Sequence, residues 1–364
     1  MFLHLRRSRL LLSFIAFLLS IGSISIFISH SSQSADSKFP SFEQIDRICN
    51  GRRTKCFQVV DRIIPSSGEE EMVTRSLEIL LPSGSTFIES KIRIRPVKHN
   101  ATFVDSDTRL WKVDGEELES EYLRAMAIMP FLTRVFRLGR RKEQKKIALI
   151  GEGGASLLSH LRTLRDGIDT TIVEKEKNVV ELSKRWFDVG EAVVVTADAI
   201  EWMRRKDDNA TRYDVIFLDA CERRSAQHCP DPLFTKEENV RSLHRILKDD
   251  TRALVVINFE IYHHKKWEML HQQMDVLLSI FSHCISIDLK EGINMIVGCF
   301  TRPLPFYNSE NQRASLDASM GFIVDQYSEA QSELLYGRIF NEFGVHSTID
   351  GKRETILHPV DKQI

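Results

Sequence analysis

Four carboxylates sit just past apolar runs that read as strands. Glu174 closes "TTIVE", Asp198 follows "AVVVTA", Asp219 closes "YDVIFLD", and Glu222 lies three residues further on. A glycine turn, Gly151-Glu152-Gly153-Gly154, closes "IALI" and opens a helical pattern, "ASLLSHL". Backbone N–H groups at such a turn meet the charged end of a ligand, and glycine lets the backbone approach it closely. A carboxylate ending the next strand accepts from a ribose, and one after the third strand accepts from a base amino group. The set is suited to an adenosine-type ligand, with Asp219 beside the point where an open sheet binds its ligand.

The elements that must position these groups are legible from Lys146 onward. Strand-like runs occur at "IALIG", "TTIVEK", "AVVVTADA", "YDVIFLDA" and "RALVVINFE", with helical patterns between them. That alternation predicts a parallel sheet covered by helices on both faces. A further helix leads to "CISIDL", a tight turn at Gly292, and "INMIVGCF", an antiparallel hairpin. The fold class is therefore α/β: a seven-stranded Rossmann-like methyltransferase sheet whose last strand is reversed, preceded by a small β-rich region. In that region "RSLEILLPSG" and "SKIRIRPV" read as strands and "SEYLRAMAIMPFLTRVF" as a helix.

The stretches "IALIGEGGASLLSHL", "IVEKEKNVVELSKRWF", "TADAIEWM", "YDVIFLDA", "CPDPLF" and "LHRIL" resemble the elongation-factor lysine and N-terminal methyltransferases, of the class I S-adenosylmethionine (SAM) type. The layout is also similar to spermidine and spermine synthases, and the likeness spans about Phe42 to Phe300. It implies SAM as co-substrate. Gly151, Glu152 and Gly153 would receive the methionine end, Glu174 the ribose, and Asp198 with Ala199 the adenine. Asp219 borders that ligand and is the first candidate to position and deprotonate an amine, with Glu222 the second. Tyr122 matches a synthase tyrosine, but Leu123 replaces the glutamine beside it, and Ala220-Cys221-Glu222 follows Asp219 where synthases have Ser-Ser-Asp. Gly154, where synthases carry Asp, argues for a ligand that keeps its carboxylate. The reading is methyl transfer to an amine of a protein or small molecule. Aminopropyl transfer and a non-catalytic nucleotide-binding or interaction protein are the alternatives. Glu152, a carboxylate beside a ligand carboxylate, keeps the last one open.

Composition bounds the setting. A net charge of −1 gives no electrostatic footprint for nucleic acid, so none is expected as partner. Arg6, Arg7 and Arg9 precede an apolar run from Leu10 to Ile28, long enough to span a bilayer. Residues 1–29 thus read as a signal-anchor or signal peptide, and the remainder as lumenal or secreted. Residues 30–41 form a linker, 42–139 the β-rich and helical region, 140–302 the SAM-binding domain, and 303–364 an extension with one weak helix and a polar tail. Asn100 and Asn209 begin glycosylation sequons. The six cysteines fall into local pairs, 49 with 56, 221 with 229 and 284 with 299, which permits disulfides or leaves buried thiols. No spacing resembles C-x-x-C knuckles, so no metal is expected. The oligomeric state is left open, a homodimer among the options.

Overall fold

The computed structural model describes residues 42–302, with gaps at 52–54, 65–70, 99–100, 137–142, 152, 208–210, 222–228, 250–252, 261–264, 282 and 290–292, and then residues 343–349 and 352–357. The amino-terminal apolar run, both sequon asparagines, Glu152, Glu222 and the weak helix near 328–340 lie outside the described residues. Among those described, no helix is long and apolar enough to cross a membrane.

The chain first forms an antiparallel sheet of β1 (Phe42–Cys49), β2 (Cys56–Ile64), β3 (Met72–Leu80), β4 (Thr86–Arg95) and β5 (Lys112–Asp114), paired in that order. Two of these strands, β3 and β4, were legible in the sequence. The first two were hidden by charges inside their alternation. Asp61 of β2 is fully buried because Arg75 of β3 clasps both of its oxygens at 2.8 Å. After α1 (Glu121–Leu132) come β6 (Lys145–Ile150), α2 (Ser156–Leu164), β7 (Ile168–Glu174), α3 (Lys177–Trp186), β8 (Val193–Thr196), α4 (Ala199–Asp207) and β9 (Val215–Leu218). A 3-10 turn (Pro232–Thr235) leads to α5 (Glu237–Ile246), β10 (Leu254–Glu260), α6 (Lys265–Ile280), β11 (His283–Leu289) and β12 (Asn294–Phe300).

With two strands near the carboxyl terminus, β13 (Phe343–Ile349) and β14 (Lys352–Leu357), the second sheet runs β14-β13-β11-β12-β10-β9-β6-β7-β8. Strands β6 to β10 are parallel, and the reversed β12 inserts between β10 and β11. The central strands are unbroken apolar runs because both of their faces are covered. β13 (Phe343–Ile349) and β14 (Lys352–Leu357) were not expected. They extend the sheet beyond β11 from a tail that reads as polar. An edge strand needs backbone partners more than an apolar pattern, so composition alone did not reveal them.

Helix α3 joins the two sheets. Val179, Leu182 and the adjoining Phe187 pack with Phe57, Val59, Leu77 and Ile92 of the first sheet. Arg75 reinforces the junction by donating to the carbonyls of Trp186 at 3.2 Å and Thr108 at 2.7 Å. All six cysteines are paired as their spacing suggested: Cys49–Cys56, Cys221–Cys229 and Cys284–Cys299. Two of these bridges join register partners, across β1 and β2 and across β11 and β12. Three disulfides suit an oxidising environment, secreted or lumenal.

The Arg75–Asp61 pair gives the first test. Removing one partner strands a buried charge, at a cost of about 3–5 kcal/mol, whereas an apolar pair of similar volume is often tolerated. Asp61→Asn should therefore lower the urea midpoint more than the double variant Asp61→Leu with Arg75→Met.

Candidate active site

The order of strands reverses between β6 and β9, which opens a crevice at their carboxyl ends. A cleft of about 1200 Å³ lies there. A single ligand pocket usually measures about 300–1,000 Å³, so this cleft lies a little above that range. Gly151 and Gly153 reach it after β6, Glu174 at the end of β7, Asp198 and Ala199 after β8, and Asp219 after β9. Every described residue assigned to the ligand from sequence thus lines one cavity. Glu152 and Glu222 lie outside the described residues.

The glycine turn is shaped by contact on two sides. Gly151 has φ +82°, and a Cβ there would come within 2.7 Å of the Asp219 carbonyl oxygen and 2.8 Å of the Ala220 Cα. Only glycine fits both the left-handed backbone and the contact. Gly154 is buried on the far side, where a Cβ would lie 2.8 Å from Ser90 and 2.9 Å from Phe187. The inference drawn from Gly154 about the ligand's carboxylate is therefore corrected. This glycine is set by packing against β4 and does not border the cleft.

Each carboxylate has a local anchor. Asp198 Oδ1 accepts from the backbone N–H groups of Ile200 at 2.9 Å and Glu201 at 3.2 Å, so it also caps α4. Glu174 Oε1 accepts from the N–H of Glu176 at 2.9 Å. Burial pushes the Glu174 carboxyl above its ordinary value. The Glu176 charge adds to that rise, while the backbone N–H and Lys175 oppose it. Asp219 is held at both oxygens: Tyr122 donates to Oδ2 at 3.1 Å and Asn258 Nδ2 to Oδ1 at 2.8 Å. The Asn258 carbonyl in turn accepts from Asn294 Nδ2 at 2.9 Å.

The opposite wall comes from the first sheet, through Lys55, Phe57, Ile79, Phe87, Ile88 and Glu89. Lys55 crosses the cleft to Glu176 at 2.7 Å. Glu89, Glu174, Glu176, Asp198, Asp219, Asp231 and Glu260 line the cavity against three lysines, Lys55, Lys175 and Lys236. An acidic, low-dielectric crevice of this kind concentrates cations. The sulfurs of Cys221 and Cys229 lie near Asp219, but their disulfide removes them as metal ligands.

Sequence reasoning missed Asn258, Asn294, Glu260, Asp231 and the whole first-sheet wall. For Asn258 a signal existed, since it is a buried polar residue inside the apolar run "LVVINFE". The first-sheet residues carried none, because only packing brings that sheet over the crevice.

No protein-family model and no curated protein sequence matches this chain. Solved structures do. A protein described as a probable spermidine synthase from Corynebacterium glutamicum superposes with a TM-score of 0.50 at 18% identity, covering 78% of this chain and 88% of that one. Human methyltransferase-like protein 13, in complex with SAH, gives a TM-score of 0.47 at 17% identity, over 56% of this chain and 92% of that one. The likeness to the probable spermidine synthase is one of fold.

Glu174 provides a test that needs no ligand. A carboxyl whose folded-state value is raised binds its proton better folded than unfolded. Stability is then lost as pH climbs from the unfolded glutamate value through the folded one. Glu174→Gln should be more stable than the parent at neutral pH. The gap should close as pH falls below about 4.3, the ordinary glutamate value, in denaturant titrations across pH.

Proposed function

We propose that this protein is a SAM-dependent methyltransferase acting on an amine of a protein or small molecule. Its catalytic domain would face an oxidising lumen and be attached through the amino-terminal segment. The observation that carries the reading is Asp219, fixed by Tyr122 and Asn258 at the switch point, facing an acidic cleft that also holds the glycine turn and Glu174.

The residues divide the work. Gly151 and Gly153, with Glu152 between them, would receive the methionine end; the Gly151 N–H is donated to the Val173 carbonyl at 3.1 Å, so this glycine would contribute close backbone approach. Glu174 would take the ribose hydroxyls, and Asp198 with Ala199 the adenine. SAM supplies the electrophilic methyl carbon, and its sulfonium is favoured by the surplus of carboxylates. Asp219 would accept a hydrogen bond from the acceptor amine and hold it in line with that carbon, with Glu222 as a second base. Positioning of this kind can supply much of the rate enhancement in a displacement. A second reading, aminopropyl transfer, is supported by the Tyr122–Asp219 hydrogen bond, since Tyr122 is the position that resembles the synthases.

A thermal-shift titration with SAM, S-adenosylhomocysteine and decarboxylated SAM separates the readings. The first two should raise the melting temperature, and Glu174→Ala or Asp198→Ser, which keeps a capping oxygen, should abolish the shift. Asp219→Asn should bind normally yet lose about 10²–10⁴-fold in transfer to amines. Preference for the decarboxylated compound would move the assignment to aminopropyl transfer. No shift in folded protein would exclude both.

A further inference from the structure

Two asparagines at the crevice, Asn258 and Asn294, have no step of their own in the reaction outlined above, and only the first has so far been tied to Asp219. Asn258 lies one step beyond Ile257, which pairs with Leu218 in the parallel ladder, so it stands beside Asp219. Its side chain is almost fully buried, with 2% exposure. A buried amide is retained where its hydrogen bonds are made, and here both ends are engaged. Asn294 Nδ2 donates to the Asn258 carbonyl oxygen at 2.9 Å, which fixes which way the amide points. The Asn258 NH2 must then face Asp219, and it donates to Oδ1 at 2.8 Å. Without Asn294 the amide could turn over and present an oxygen to the carboxylate.

The reversed strand is what makes this chain of bonds reachable. Strands β6, β9 and β10 run parallel and bring their carboxyl ends to the crevice. β12 runs the other way, so its first residue, Asn294, arrives at the same edge, opposite Glu260 in the ladder. Both asparagines line the cleft.

We propose that Asn258, oriented by Asn294, is a positioning residue that sets the Asp219 carboxylate for the acceptor amine. The inference rests on the amine-transfer reading for its purpose. Asp219 is gripped at Oδ2 by Tyr122 from α1 and at Oδ1 by Asn258 from β10, and neither donor lies on its own strand. Two donors from different elements fix the plane of the carboxylate that would face the incoming amine. A misplacement of about 1 Å in such a group can cost about 10²-fold in rate.

The test is a double-mutant cycle in the full chain with two readouts. In urea titrations, Asn258→Ala and Asp219→Ala should together cost less than the sum of the single substitutions, because each alone strands the other's partner. In transfer assays Asn258→Ala should lower kcat about 10- to 100-fold, and Asn294→Ala about 10-fold, with KM for SAM unchanged. Neither should lower kcat further in an Asp219→Ala background. Asn258→Leu roughly keeps the volume and removes the donor, so it should behave like the alanine variant rather than the parent. Additive stabilities would overturn the proposal, as would full activity in Asn258→Leu or equal losses with and without Asp219. If SAM produces no thermal shift, the methyltransferase reading fails, and the stability cycle alone still decides whether Asn258 holds Asp219.

Discussion

The structure turns on how closely the glycine turn after β6 is pressed from two sides. The end of β9 lies against Gly151, and Ser90 of β4 with Phe187 after α3 lies against Gly154. Any side chain at either position would push one of these neighbours away. The first contact brings the β6 and β9 ends together, so the glycine turn and Asp219 border one crevice. The second seats the antiparallel sheet over that crevice. Serine at 90 serves this seat, since its hydroxyl pairs with Ser156 at 2.8 Å and keeps a small polar junction satisfied.

Two further devices hold that seat. One is apolar, the packing of α3 against the first sheet. The other is the buried guanidinium of Arg75, which ties Asp61 to the backbone at Trp186 and Thr108. Such a charge is tolerated only because partners surround it, which makes the junction specific as well as stable. Lys55, which reaches Glu176 from the first sheet, adds a half-exposed pair whose contribution to stability is small. Its effect is local: it offsets one of the carboxylates that line the cleft.

The cleft's electrostatics follow from the same arrangement. Carboxylates from five strand ends and loops converge because parallel strands deliver all their carboxyl ends to one edge. A group such as Glu174, half withdrawn from water there, pays in folding stability for its place in the site. Asp219 is treated differently, with donors from α1 and β10 on its two oxygens. The crevice thus combines one carboxyl raised by burial and one carboxylate held by a donor on each oxygen.

The sequence by itself determined the parallel sheet, its reversed strand and a set of residues that line one side of the cleft. These are local patterns: apolar runs, a glycine turn, and acidic residues at fixed distances beyond them. It also grouped the cysteines into three local pairs, while the structure alone showed that all three are bridged. It did not determine β1, β2, β5, β13 or β14. β2 hides a buried ion pair, and the C-terminal strands gain their place from backbone pairing rather than apolar periodicity. Nor did it show why Gly154 is glycine, or that Asn258 and Asn294 face Asp219. Contacts between residues 36 to 97 positions apart depend on how sheets and helices stack, and stacking reads the summed surface of many elements. Tertiary structure alone decided the second wall of the cleft and the grip on its central carboxylate.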